Sequence, residues 1–199
     1  MTGAPVSALL LAAIAAASLY GLRHPDWLER QLLRPYALAR GSGWRSVLTS
    51  AFVHADLAHL LFNAFTLWAF AFPLERAIGS ARLLALYAIG LAASAAGTCL
   101  AHRDDPAYRT LGASGAILAV LFASIAYFPG GSIFILPIPV PIPAPLFALG
   151  YLAYTLLAAR RAAGRINHDA HLAGALAGIA FVAVTDPGTL ARAVRHWTG

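Results

Sequence analysis

Six apolar runs alternate with shorter polar segments along this 199-residue chain. The runs are approximately Val6–Leu22, Leu57–Phe72, Leu83–Leu100, Ser114–Phe128, Pro145–Ala159 and His171–Val184. Each predicts a helix too apolar for water. Several fall short of the roughly 20 residues that cross a bilayer unaided, so they are expected to borrow apolar flanks or to pack inside a bundle. Between Thr110 and Ala159 no His, Lys, Arg, Asp or Glu occurs. That stretch of fifty residues would measure about 75 Å as one helix, and Pro137, Pro139, Pro141, Pro143 and Pro145 forbid a helix through its middle. Pro129-Gly130-Gly131 is expected to end the fourth span, and the alternating prolines to form an extended, polyproline-like connection. The pattern predicts an all-α integral membrane protein with a single domain over residues 1–199.

Composition sharpens the class. The chain is 60% hydrophobic and 11% charged, with a mean hydropathy of +0.71, outside the range of water-soluble domains. All 14 basic residues are Arg, giving a formal charge of +6. They lie between the apolar runs, which suits lipid headgroups rather than nucleic acid. The first connection mixes Trp27, Tyr36 and Trp44 with Arg residues and reads as a segment at the headgroup interface. The single Cys99 excludes an intramolecular disulfide and reads as filler of an apolar run. The first apolar run follows Met1-Thr2-Gly3-Ala4 without a basic n-region, so it is expected to remain as a span.

Chemistry enters through a few polar residues at membrane depth, where such groups are costly and mark functional sites by default. Ser114 stands in Gly112-Ala113-Ser114-Gly115, at the head of the fourth run, and His171 opens the sixth. Singly, a membrane serine is helix glue and a histidine at a span end is interfacial. Together they suggest a nucleophile and its general base. A second cluster precedes the second span: His54, His59 and Asn63. On a helix His59 and Asn63 share a face, whereas His54 and His59 would lie about 140° apart, so His54 is expected to cap or precede that helix. Imidazole and carboxamide N–H groups suit an oxyanion. The spacing argues against metal ligands, and no His-Glu-x-x-His element occurs. Gly174 and Gly178 form a small-x3-small face that would let two helices approach closely. Asp169, two residues from His171, is not assigned to a triad; with His168 it reads as a polar cap.

The ordered set resembles the rhomboid family of intramembrane serine proteases. It comprises Trp44-Arg45, His-x4-His-x3-Asn at His54, His59 and Asn63, Glu75-x3-Gly79-Ser80, Gly112–Gly115, and His171 with Gly174 and Gly178. The resemblance implies a six-transmembrane-helix rhomboid-like bundle that cleaves transmembrane segments of other proteins with a Ser-His dyad and no cofactor. It implies Ser114 as nucleophile and His171 as base. It assigns His59 and Asn63 to the oxyanion, Gly112 and Gly115 to shaping the site, and His54 to water retention or cavity shape. Trp44-Arg45 and Glu75 are expected to hold loops and helix ends. Retention of Ser114, Gly115 and His171 weighs against the alternative, a non-proteolytic rhomboid-like protein that binds or escorts membrane proteins.

Further expectations follow from that resemblance. His54, His59, Asn63 and His171 are expected to line one wet cavity. A lateral gate would open near the second and fifth spans. Arg160–Asn167 would form a lid, with Gly164 as hinge. Members often carry Tyr four residues after the nucleophile, supporting the catalytic His; here Leu118 stands there, and an aliphatic surface is the expected support. The implied partners are transmembrane protein substrates and lipid, and the implied location is a bacterial inner membrane with both termini inside. Ten of the fourteen Arg residues fall in the first, third and fifth connections, which opposes that orientation by the positive-inside tendency.

Overall fold

The computed structural model describes residues 3–135, 138–161 and 166–199. Proline opens the first three helices, α1 (Pro5–Arg23), α2 (Pro25–Gln31) and α3 (Pro35–Leu38), at the position where a missing N–H breaks no helical hydrogen bond. A short α4 (Arg45–Thr49) and a 3-10 turn at Ser50–Phe52 lead into α5 (Leu57–Ile78). The Asp56 carboxylate caps α5 by accepting the His59 backbone N–H at 2.7 Å. Then come α6 (Ser80–His102), α7 (Ser114–Tyr127), a hairpin of β1 (Ser132–Ile135) and β2 (Ile138–Pro143), α8 (Ala144–Arg161), α9 (His168–Thr185) and α10 (Pro187–Thr198).

α7 organises the bundle. Its residues from Gly115 to Ala126 are all buried, as expected for a helix apolar on every side. α5, α6 and α9 pack around it. Small residues allow that crowding. A methyl group added at Gly174 would overlap the Gly115 carbonyl, one at Gly178 the Ala119 carbonyl, and one at Gly90 the Ala119 side chain. The outer surface is the reverse of a soluble protein's: Leu9, Leu149 and Val184 are 70%, 68% and 81% exposed, with Leu61, Trp68 and Leu84 also turned outward. Such a surface belongs against hydrocarbon. α1, α5, α6 and α9 are long and apolar enough to cross a bilayer, while α7 and α8 are shorter apolar helices. At 14 residues, α7 is about 21 Å long; a helix enclosed by others need not match the bilayer.

The structure departs from the expected pattern in three places. The chain is not purely helical, because the proline-rich connection pairs as an antiparallel ribbon with Ile133 opposite Ile142 and Phe134 opposite Pro141. Alternation explains how prolines enter a strand: the residues between them keep their N–H groups on one side, and an edge position tolerates the rest. Pro137 lies outside the described residues. The second span continues past Phe72 through Pro73 to Ile78. Its extension carries Glu75, 1% exposed, which accepts from the Val6 N–H (3.0 Å), the Ser7 N–H and hydroxyl (both 2.7 Å) and the Ser80 hydroxyl (2.7 Å). A carboxylate is tolerated there because it satisfies the free N–H groups opening α1. Thirdly, α10 is an additional helix, capped by Asp186, whose carboxylate accepts the Thr189 N–H at 3.1 Å.

Candidate active site

The turn before α7 is held from the first connection. Leu33 and Thr110 exchange backbone hydrogen bonds of 2.9 and 3.0 Å, and the Gly112 N–H donates to the Ser50 carbonyl at 2.9 Å. Gly112 has φ +119°, a conformation that disfavours side chains, and a Cβ there would stand 3.0 Å from the His59 ring. Ala113 at the N-cap contributes no side-chain hydrogen bond, so the first-turn N–H groups of α7 are free beside Ser114. Ser114 is the first residue of that helix and only partly buried.

α9 starts at His168, three residues before the expected span, because Asn167 caps it: its Oδ1 accepts the Ala170 N–H at 3.0 Å. The Asn167 amide also donates to the Thr98 hydroxyl at 2.8 Å, tying this end of α9 to α6. His171 thus sits in the first turn of α9, and its Nε2 lies 2.7 Å from Ser114 Oγ. On the far side of the ring, Nδ1 lies 3.0 Å from the Tyr151 hydroxyl. Asp169 turns away to pair with His102 Nε2 at 3.0 Å, so it takes no part beside His171.

Tyr151 escaped the reading of the sequence. Its one signal is a polar tip on an otherwise apolar helix, which calls for a partner when buried. Leu118 is buried in the same apolar cluster as Phe147 and Tyr151. The support of His171 therefore includes an aromatic residue from α8 rather than an aliphatic surface alone, with ring centroids of Tyr151 and His171 6.5 Å apart.

Asn63 is buried on α5, and its amide donates one N–H to the His59 carbonyl at 3.0 Å. A carboxamide has two N–H donors, which leaves one. His54 precedes α5 without capping it, the cap being Asp56. Because His54 is outside the helix, its ring still meets that of His59 edge-on, with centroids 4.8 Å apart. His54 Nδ1 lies 2.9 Å from Ser18 Oγ, and that hydroxyl donates to the Phe52 carbonyl at 3.1 Å. The Ser18 proton being committed, His54 donates from Nδ1, and its buried Nε2 has no partner among the described residues. Burial, reinforced by His59 and opposed by Asp56, pushes the His54 imidazole down to about 3.

The four residues expected to line one wet cavity do not come together in either of the two pockets that meet at Ser114. On one side of Ser114 lies a 40 Å³ pocket with Ser50, Ser94, Thr98, Thr110 and Asn167 in its wall, polar enough for ordered water. On the other side a 220 Å³ apolar cavity runs between α5 and α8, lined by Phe62, Phe65, Phe147 and Tyr151, with Asn63 and Ser114 at one end. His54, His59 and His171 line neither. Gly164 and the middle of the expected Arg160–Asn167 lid lie outside the described residues. Among the described residues no group of three or more His, Cys, Asp or Glu is placed to hold a metal ion.

Residues 40–187, most of the chain, match the sequence model of the Rhomboid domain. The chain belongs to the rhomboid family. Among its rhomboid relatives is Rhomboid protease GluP of Bacillus subtilis, 41% identical over 86 residues, which cover 43% of this chain and 16% of that protein. Another is the mitochondrial presenilin-associated rhomboid-like protein of Homo sapiens, 34% identical over 146 residues, covering 68% of this chain and 36% of the relative. The mitochondrial Rhomboid protein 1 of Saccharomyces cerevisiae is 29% identical over 142 residues, covering 68% and 40%. The matches span less than half the length of each of these relatives. Rhomboid membership and the outward apolar helices together make this a multi-pass integral membrane protein.

Proposed function

We propose that this rhomboid is an intramembrane serine endopeptidase of six spans, with α7 and α8 completing the four longer helices, that cleaves transmembrane segments of other proteins. The observation that carries the reading is the 2.7 Å approach of His171 Nε2 to Ser114 Oγ at an uncapped helix N-terminus. That is hydrogen-bond reach for a general base. A protein that only escorts clients has no use for an imidazole so placed.

In this mechanism the Ser114 proton passes to His171 Nε2 as Oγ bonds to the scissile carbonyl carbon. Negative charge collects on the carbonyl oxygen. The free N–H groups opening α7, the second Asn63 amide proton and the His59 ring are the donors nearest to stabilise it. Collapse breaks the C–N bond, and His171 returns the proton to the leaving amine. Water then attacks the acyl-enzyme with His171 again as base, releasing the acid and restoring Ser114. The apolar cavity between α5 and α8 fits an unwound apolar segment, and the polar pocket behind Ser114 fits the water. Gly112 and Gly115 hold the turn and the close approach; Gly174 and Gly178 hold α9 against α7. The proposed location is the cell membrane of a bacterium; the relatives named above are one bacterial and two mitochondrial proteins.

A fluorophosphonate probe tests the reading. Purified wild type in detergent is expected to be labelled, and Ser114→Ala and His171→Ala are expected to lose the label. Labelling that persists in Ser114→Ala would refute the choice of nucleophile.

A further inference from the structure

We propose that Tyr151, on α8, is the positioning residue for the base, taking the place a carboxylate holds in a triad. This rests on the reading of Ser114 and His171 as nucleophile and base. For His171 to accept the Ser114 proton at Nε2, its neutral ring must carry hydrogen on Nδ1. The Tyr151 hydroxyl oxygen, 3.0 Å away, is the partner of Nδ1 among the described residues. In that tautomer the Tyr151 oxygen accepts the N–H, and the contact holds the ring plane with Nε2 toward Ser114. Among the described residues, the other titratable groups nearby make no hydrogen bond to the His171 ring: His168 lies 6.2 Å away, edge-on, and Asp169 is engaged with His102.

The Tyr151 ring is itself fixed, stacked on Phe147 at 5.6 Å and tilted against Phe122 at 5.9 Å. Its hydroxyl is therefore aimed by packing rather than free to turn. A phenol is a neutral acceptor. When His171 takes the Ser114 proton, both ring nitrogens carry hydrogen and Nδ1 still donates to Tyr151, whose own proton stays on oxygen. The ring is also a wall of the 220 Å³ cavity, so the residue orienting the base touches the space assigned to substrate.

The Tyr151→Phe variant removes the hydroxyl and keeps the ring contacts. Its fluorophosphonate labelling rate is expected to fall about tenfold, the loss of roughly one hydrogen bond, in a protein that still folds with a thermal midpoint lowered by only a few degrees. The decisive readout is ¹⁵N NMR of the imidazole, assigned by subtracting the His171→Ala spectrum. Wild type should show His171 protonated at Nδ1, and Tyr151→Phe a mixture of tautomers, a change that loss of packing alone would not produce. Wild-type labelling together with an unaltered tautomer in Tyr151→Phe would overturn the proposal and leave the dyad standing. A folded wild type that never labels, or a Ser114→Ala variant that does, would overturn both.

Discussion

His54 and His171 each present one ring nitrogen to a serine hydroxyl, Ser18 and Ser114 respectively, but among the described residues only His171 has a partner at its other nitrogen. On the proposed reading, that difference separates a base held at both ring nitrogens from a buried ring that shapes the loop before α5. The His54 pKa of about 3 lies below its ordinary value of 6.5. A depressed pKa means that its contribution to stability is fully present above pH 6.5 and is lost as the pH falls towards 3. The thermal midpoint in detergent is expected to drop across that window, by at most about 1.4 kcal/mol of stability per pH unit from this group. His54→Gln should flatten that dependence, and a slope unchanged in the variant would assign it to other groups. At this scale the sequence is legible where spacing carries meaning. Ser114 and His171 are polar residues at the heads of apolar runs, and His59 and Asn63 are one helical turn apart. Tyr151 has no such spacing, since its contact with His171 depends on how α8 rotates against α9.

Helix α9 reaches α7 through glycine, and the catalytic reading depends on that distance. Gly174→Ala would set a methyl group against the Gly115 carbonyl, next to Ser114. Backbone cannot swing aside as a side-chain tip does, so the helices must separate. The expected cost is about 1–3 kcal/mol, the range for overpacking, with probe labelling lost well below the melting temperature. A variant that labels normally would show that the 2.7 Å contact tolerates a looser packing. The long spans were visible because uninterrupted apolar runs have few other uses. Their ends were less so. Glu75 and Pro73 look like terminators, yet Glu75 is satisfied by α1, a partner 68 residues away in sequence. The hairpin hid behind its prolines, whose alternation suits a paired edge as well as a lone extended strand. α10 exposes Arg192 and Arg195 while its Trp197 indole N–H donates to the Pro129 carbonyl at 2.9 Å, a pattern shorter and more polar than a membrane span.

On the scale of the whole molecule, a short buried helix stands inside a ring of longer ones and brings its N-terminus, with Ser114, to an apolar cavity on one side and a polar pocket on the other. On the proposed reading that division matters, because the peptide arrives through hydrocarbon and the water cannot. The first and third connections, joined through Leu33 and Thr110, close over the same end, and Glu29 there bridges Arg34 and Arg109 at 2.7 and 2.8 Å. The Leu33–Thr110 and Glu29–Arg109 links are not visible in the linear pattern, as each joins segments far apart in the chain. The most direct test is cleavage by the full chain reconstituted in liposomes with a mixed set of single-span proteins, the products being identified by mass spectrometry. The account predicts cuts within or beside the spans, made by wild type and absent with Ser114→Ala. Identical cuts by Ser114→Ala, or intact spans throughout with a folded wild type, would contradict it.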